Sequence, residues 1–534
     1  MKNFKNIFFL VILFSVNSVF TQSPGPVKIT INKTAAVKYS KNLLGANSHF
    51  GQRPYGYKNP ECINLTGESG VTMLRYPGGT LANYFDWENG CFLPLEKIKS
   101  INPSMTEKVV NWQETLDKYH QGRETLADHI EFMKKTGVAQ SSWVLNILTG
   151  SPEMSAAWLK HNLAENYPAD YWELGNEYYL KGYKEKYPDS TAYLLDAKKH
   201  ALAMRAIKKN IQIGIVASPA RSLENMEGGF ENIWISENPD VQWNIALSKD
   251  KFYDAIIVHD YAVTPVTGFN KLTEDEAHAY FMARNMEYFP KMTAYYTELF
   301  GKDKPIWLTE YNIHPVPFTQ TMKKNGSENL EISKFYYTKS LSHGMYIADW
   351  LLSALGYCGR IEMAHIHVLS APFYWGLFQA AMPEEENAEK AFIKNIGFYI
   401  MQFFSEAFKK SSDVIICTIS GSKNMKGALS YKNTEFKSVR AAAFIGSSKS
   451  AVIIINKDKN DTAALLDMPD IPRQAEMHII TSDHLIEGFG QEKSEAAKYG
   501  PSDSGYTPSF IFKNEKIDTR NFILPGKSVC LILF

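Results

Sequence analysis

The sequence predicts an α/β fold: a (β/α)8 TIM barrel followed by a C-terminal antiparallel β-sandwich domain. Three observations point to it. Between about Leu43 and Ser370, short apolar runs alternate with longer helix-compatible stretches, the pattern of repeated βα units. After Phe404 the pattern changes to β-rich runs punctuated by turn residues, as in a small sandwich. Two apolar runs in the first region lead into carboxylates, Glu177 and Glu310, and strand ends in a parallel barrel project into a common mouth.

Eight strands are expected: Leu43 to Phe50, Val71 to Tyr76, Ser141 to Ile147, Tyr171 to Glu177, Ile211 to Ser218, Ala255 to Tyr261, Ile306 to Tyr311 and Met363 to Ser370. Eight such strands can close with no free edge. The clearest helical periodicities are Thr125 to Thr136 and Ala192 to Lys209. Sandwich strands are expected at Val414 to Ile419, Ala451 to Ile455, Met477 to Thr481 and Val529 to Phe534, and the early run Val27 to Ile31 is placed to add another. The expected division is therefore residues 22–42 joining the sandwich, 43–404 as the barrel and 405–534 as the sandwich. Lys323 to Asn329 and the Pro383-Glu384-Glu385-Glu386 cluster read as solvated loops.

The start of the chain, Met1-Lys2-Asn3-Phe4-Lys5-Asn6 followed by the apolar run Ile7 to Phe14, has the form of a secretory signal peptide. Small or polar residues near Ser18 and Thr21 place cleavage close to Gln22, so residues 1–21 are expected to be removed and the rest to be secreted or periplasmic. The apolar run is too short to span a bilayer, and no other segment is a candidate, so no stable membrane insertion is expected. Five cysteines follow: Cys62, Cys91, Cys358, Cys417 and Cys530. Cys62 and Cys91 flank one early barrel segment and can close a disulfide around it, while the other three have the apolar surroundings of buried thiols. Sequons stand at Asn32, Asn64, Asn325 and Asn460.

Composition excludes some functions. The 534 residues include 57 basic and 57 acidic side chains, leaving no net field to attract nucleic acid or an anionic membrane. Aromatic residues make up 13 %, with 29 Tyr and 10 Trp, which suits stacking on sugar faces as well as core packing.

Paired carboxylates at a shared mouth are the working parts of a glycosidase. A retaining enzyme needs one protonated carboxyl to donate to the leaving oxygen and one ionised carboxylate to attack the anomeric carbon, with the two about 5 Å apart. Glu177 suits the acid/base role, with the adjacent Asn176 amide able to bind a sugar hydroxyl, and Glu310 suits the nucleophile. Glu173 has the same strand parity but lies deeper, where a structural, hydrogen-bonded carboxylate is expected.

Gly175-Asn176-Glu177 resembles the acid/base motif of the clan A glycoside hydrolases, retaining (β/α)8 enzymes, and Thr309-Glu310-Tyr311-Asn312 resembles their nucleophile motif. Arg75-Tyr76-Pro77-Gly78-Gly79 with Asp86-Trp87, and His259-Asp260-Tyr261, resemble segments of the family 51 α-L-arabinofuranosidases. Leu308-Thr309-Glu310-Tyr311-Asn312 is closer to the xylosidase and iduronidase group. Leu174-Gly175-Asn176-Glu177 and the continuation to Thr80 are similar to the heparanase-like glucuronidases. The resemblance implies that Arg75 and Tyr261 hold the nucleophile, with Arg75 keeping Glu310 ionised and Tyr261 donating a hydrogen bond to it.

Plainer readings stand beside these. Arg75 can pair with a core acid, Pro77-Gly78-Gly79 can be a tight turn, and His259 and Tyr261 are each as compatible with a satisfied core as with a site. Trp375, just beyond the eighth strand, can form a sugar-stacking platform or pack in the core. His365 and His367 alternate on that strand but lack a third candidate ligand, so neither a metal nor a cofactor is expected. The expected substrate is a glycan. Sequence leaves open an arabinofuranosidase, a β-xylosidase-like exo-enzyme or a heparanase-like or other endo-acting hydrolase. A non-catalytic carbohydrate-binding protein on the same scaffold is the rival from another class.

Overall fold

In the computed structural model, which describes residues 25–48, 50–219, 238–263, 272–314, 338, 340–371, 375–380, 392–485 and 510–534, eight parallel strands close into a barrel. They are β1 (Gly45–Asn47), β2 (Met73–Tyr76), β3 (Gln140–Val144), β4 (Tyr171–Glu173), β5 (Gln212–Val216), β6 (Ala255–Val263), β7 (Ile306–His314) and β8 (Ile361–Ile366). Each pairs with the next, and β8 returns to β1 through His365↔Gly45 and Ile366↔Ala46. All eight expected runs carry a strand, and the (β/α)8 expectation holds.

Local chemistry trims several strands. Lys41–Leu44 is a short 3-10 helix, capped by the Ser40 hydroxyl accepting from the Asn42 N–H, so β1 begins only at Gly45. β4 stops at Glu173 because Gly175 turns the backbone to φ +91°, where a side chain would meet the Tyr178 ring at 2.0 Å. The helix Leu126–Thr136 starts at a capping box between Thr125 and Asp128, and Ser190–Arg205 starts earlier than its apolar pattern because Asp189 caps it.

The ladder flanking β7 is irregular. Pairing with β6 shifts between Ile257↔Trp307 and His259↔Glu310, and pairing with β8 shifts between Leu308↔Ala364 and Tyr311↔Ile366. Both shifts insert one residue into β7 just before Glu310, which is a β-bulge. Trp307 faces the interior, its ring 5.7 Å from that of Tyr171. Three residues on, strict alternation would turn Glu310 outward, and the bulge returns it to the inside.

Beyond the helix Ile396–Phe408 lies a two-sheet sandwich. The larger sheet runs in the order Val37–Lys38, Asp413–Ile416, Val439–Ile445, Ser450–Asn456, Ser528–Leu533, Gln474–Thr481 and Ile511–Asp518. The smaller has Thr418–Ser420, Val27–Thr30, Thr462–Asp467 and Phe522–Leu524. Two details differ from the expectation of an antiparallel sandwich. Val414 to Ile419 is not one strand: it breaks at Cys417 and its halves enter different sheets. Val27–Thr30 pairs parallel to Thr462–Asp467, because it arrives from outside the sandwich rather than through a hairpin. The larger sheet is buried on both faces, Val452, Ile454 and Ile532 against the smaller sheet and Ile453, Ile455 and Leu531 in the core shared with the barrel.

The Cys62–Cys91 disulfide does not form, and all five thiols are free. Cys62 is fully buried on the helix Pro60–Ser69, whereas Cys91 is half-buried in a hairpin opposite Asp86, and burial raises the pKa of both thiols. The expected signal peptide at 1–21, both expected solvated loops and Asn325 lie outside the described residues. Among the described residues no helix is long and apolar enough to cross a membrane. Thiol titration in guanidinium without reductant should count five reactive cysteines per chain; a count of three would restore the disulfide.

Candidate active site

At the carboxyl ends of the strands the barrel interior is organised by Arg75 on β2, which is fully buried. Four of its five N–H groups donate hydrogen bonds, and Nη2 also faces Glu173 in an ion pair. Nε donates to Glu173 at 3.0 Å, and Nη2 lies 2.9 Å from Glu173 Oε2. Nη1 donates to Asn47 Oδ1 at 3.0 Å and to Glu310 Oε1 at 2.6 Å, and Nη2 also donates to Asn176 Oδ1 at 3.0 Å. Burial alone would lower the pKa of Arg75, but Glu173 and Glu310 outweigh it and keep the guanidinium charged.

Glu310, at the bulge of β7, accepts a second hydrogen bond from the Tyr261 hydroxyl at 2.5 Å. Burial first, and the Glu310 charge second, raise the Tyr261 pKa well above its ordinary value, so the phenol keeps the proton that it donates. His259, the register partner of Glu310 on β6, stands between the two acids. Its Nδ1 is 2.9 Å from Glu177 Oε1 and 3.5 Å from Glu310 Oε2, and its Nε2 is 3.2 Å from the Thr309 hydroxyl. Tyr179 also donates to Glu177 Oε1, at 3.0 Å. One carboxylate oxygen from each of Glu177 and Glu310 and one His259 ring nitrogen all lie within 4.8 Å of one another.

Glu177 itself has φ +55°, a left-handed conformation that non-glycine residues adopt only when the surroundings impose it. Asn83 imposes it from one side. Its side chain accepts from the Asn176 N–H at 3.2 Å and donates to the Asn176 carbonyl at 3.0 Å. Because Arg75 takes Asn176 Oδ1, the Asn176 amide nitrogen must point the other way, where it is buried with no protein partner.

The seven residues singled out in the sequence, Arg75, Asn176, Glu177, His259, Tyr261, Glu310 and Trp375, are therefore brought together. Trp375 is half-buried, its Nε1 committed to the Ile313 carbonyl at 2.9 Å and its ring 6.4 Å from that of Tyr261. Asn47, Asn83, Tyr179 and Thr309 were not singled out. Thr309 lies within the nucleophile motif and Tyr179 two residues beyond Glu177, whereas Asn47 and Asn83 reveal themselves only through contacts across the barrel.

Among the described residues Glu177, His259 and Glu310 form the one trio spaced to ligate a metal. The set suits a cation poorly, because Arg75 already places a positive charge on Glu310. His365 is pushed down to about 3 and His367 to about 4, by burial first, so both rings are neutral.

No family model and no curated protein sequence matches the chain. Its fold is shared with solved structures. A family 51 α-L-arabinofuranosidase from Thermotoga petrophila RKU-1 superposes with a TM-score of 0.65 at 14 % identity, over 95 % of this chain and 100 % of the other. A family 51 α-L-arabinofuranosidase from Bifidobacterium longum gives 0.64 at 15 % identity, over 96 % and 99 %. A family 44 xyloglucanase from Paenibacillus polymyxa gives 0.54 at 10 %, over 95 % and 99 %. The likeness spans both the barrel and the sandwich.

Removing one partner of a buried ion pair leaves the other charge uncompensated. Glu173→Ala should therefore lower the unfolding free energy by about 3–5 kcal/mol in urea denaturation. A loss below about 1 kcal/mol would show that Arg75 does not depend on Glu173.

Proposed function

We propose that the chain is an exported retaining glycoside hydrolase of the α-L-arabinofuranosidase type, cleaving a glycan by double displacement. The observation that carries this reading is the approach of the Glu177 and Glu310 oxygens to within 4.8 Å. Retaining enzymes hold their carboxyl groups about 5–5.5 Å apart, whereas inverting enzymes leave roughly 6.5–9.5 Å for a water molecule.

The residues divide the work. Glu310, an acceptor-only carboxylate held by Arg75 and Tyr261, attacks the anomeric carbon. Glu177 gives its proton to the leaving glycosidic oxygen as that bond breaks, which leaves a glycosyl ester on Glu310. Glu177 then takes a proton from water, and the resulting hydroxide oxygen displaces Glu310 with a second inversion, so the product keeps the starting anomeric configuration. His259, bonded to Glu177 Oε1, orients the acid/base. The Asn176 amide donors are available to a ring hydroxyl beside the anomeric carbon. Trp375 supplies an apolar wall next to Tyr261. The reading as an arabinofuranosidase is supported by the closer superposition on the family 51 structures than on the xyloglucanase, and by the motif resemblance of Arg75 to Gly79. Export is inferred from the signal-like segment at 1–21.

Purified protein should hydrolyse one member of an aryl-glycoside panel of arabinofuranoside, xyloside, glucoside, galactoside and glucuronide, with the first-formed anomer retained by NMR. Glu310→Gln should abolish this turnover without loss of folding. Silence on the panel and on intact polysaccharides, with binding retained, would instead identify a carbohydrate-binding protein. Glu177→Ala should cost about 10²–10⁴-fold on substrates with poor leaving groups and far less on those with good ones. Equal losses on both would remove Glu177 from the acid role.

A further inference from the structure

Asp260 and Tyr311 are register partners one step beyond His259 and Glu310 on the same two strands. Alternation turns them to the outer surface of the barrel, where both are fully buried. There one side chain touches both. Trp350, on the helix Leu341–Gly356, lies flat on the Tyr311 ring with centroids 3.7 Å apart and planes at 5°. Its indole Nε1 donates to Asp260 Oδ2 at 2.7 Å. Asp260 also accepts from Arg284 at 2.6 and 3.2 Å, so its charge is compensated inside the protein.

The helix is itself held at the preceding residue. Asp349 Oδ1 accepts from Arg440 at 2.8 Å and lies 2.7 Å from Lys457 Nζ, both of which belong to the sandwich. Burial would raise the Asp349 pKa, but Arg440 and Lys457 together hold it below the usual carboxylate range. A continuous chain of contacts thus runs from the sandwich through Asp349 and Trp350 to β6, which carries His259 and Tyr261, and to β7, which carries Glu310.

That contact has a mechanical reason to exist. The β-bulge interrupts the ladder on both sides of β7 just before Glu310, and with β6 the pairing resumes at His259↔Glu310 and runs to Val263↔His314, so the alignment beyond the bulge is set afresh at these first resumed pairs, Asp260↔Tyr311 among them. The Tyr261–Glu310 and His259–Glu177 hydrogen bonds tolerate displacements of only about 0.5 Å. We propose that Trp350 is a positioning residue that clamps Asp260 to Tyr311 from outside the barrel, fixing the register in which β6 presents His259 and Tyr261 to Glu310 and Glu177, and that Asp349 ties this clamp to the sandwich. The role in catalysis rests on the assignment of Glu310 and Glu177; the effect of the clamp on geometry does not.

The test is made on the full chain carrying ¹⁵N-labelled histidine, with His259 assigned by its loss in His259→Gln. The His259 ring nitrogens report on the charges facing them, namely Glu177 and Glu310, with Arg75, His365 and His367 behind. Trp350→Phe keeps an aromatic ring on Tyr311 but deletes the N–H to Asp260. Arg440→Gln, at a half-buried site on the sandwich, is the second variant if the first folds poorly. The expected result is a change in the His259 ring-nitrogen chemical shifts at fixed pH in Trp350→Phe, and a smaller change of the same sign in Arg440→Gln, with cooperative unfolding retained. On the substrate found for the wild type, kcat should fall about 10-fold or more in Trp350→Phe with KM within about threefold, as expected for a misaligned transition-state contact. A lowered melting temperature with wild-type His259 ring-nitrogen shifts, kcat and KM would overturn the clamp and leave Trp350 a packing residue. Inactivity of the wild type on every substrate would defeat the hydrolase reading alone, because the NMR arm would still decide the clamp.

Discussion

The buried guanidinium of Arg75 is the constraint on which the site depends. A charge taken that far from water costs several kcal/mol unless it is paired and hydrogen-bonded, and here four donors make hydrogen bonds while two carboxylates pair with the charge. Each partner is thereby fixed. Glu310 is held as a carboxylate, Asn176 has its amide orientation decided, and the first strand is tied in through Asn47. Glu173 supplies a second negative charge beneath, so one cation faces two anions and the cluster carries a net negative charge. A cluster of that sign complements the positive charge that develops at an anomeric carbon as a glycosidic bond breaks. Glu173 thus matters to the electrostatics although it lies too deep to touch substrate.

Backbone irregularity gathers where the two acids emerge. The turn after β4 holds a glycine at φ +91° and a glutamate at φ +55°, and β7 carries its bulge immediately before Glu310. Regular strands would present side chains at fixed parity, and in β7 that parity is broken so that Glu310 turns into the mouth. The left-handed conformation of Glu177 costs on the order of 1–3 kcal/mol, and such irregular backbone persists only when surrounding contacts over-determine it. Asn83 does so for the Asn176 backbone, and Trp350 does the equivalent for the strands beside Glu310.

What was readable in the sequence follows from how local each signal is. The eight barrel strands announce themselves because a parallel strand buried on both faces needs a short apolar run. Glu177, Glu310, Arg75, His259 and Tyr261 stand at the ends of those runs, so strand order alone brings them to one mouth. Asn47 and Asn83 carry no such mark, since each gains meaning only from a partner 28 or 93 residues away. The bulge is equally silent, because adding one residue to β7 leaves its apolar composition unchanged. Pairing Cys62 with Cys91 failed for the same reason: spacing along the chain says nothing about which way a helix and a hairpin face. The break at Cys417 was hidden because a strand that changes sheets reads as one continuous apolar run.

The sandwich is best understood through the helix Leu341–Gly356. An outer helix of a (β/α)8 barrel ordinarily shows one face to water, yet every residue here from Leu341 to Leu355 is buried. Its inner face packs on β6 and β7 through Trp350, and its outer face is covered by the sandwich, where Asp349 meets Arg440 and Lys457. Without the sandwich that helix would expose apolar side chains and strand a buried aspartate without its cations. The barrel therefore does not complete its own surface behind Glu310. The sandwich completes it, and so belongs to the support of the strands that carry His259, Tyr261 and Glu310 as much as to the periphery of the molecule.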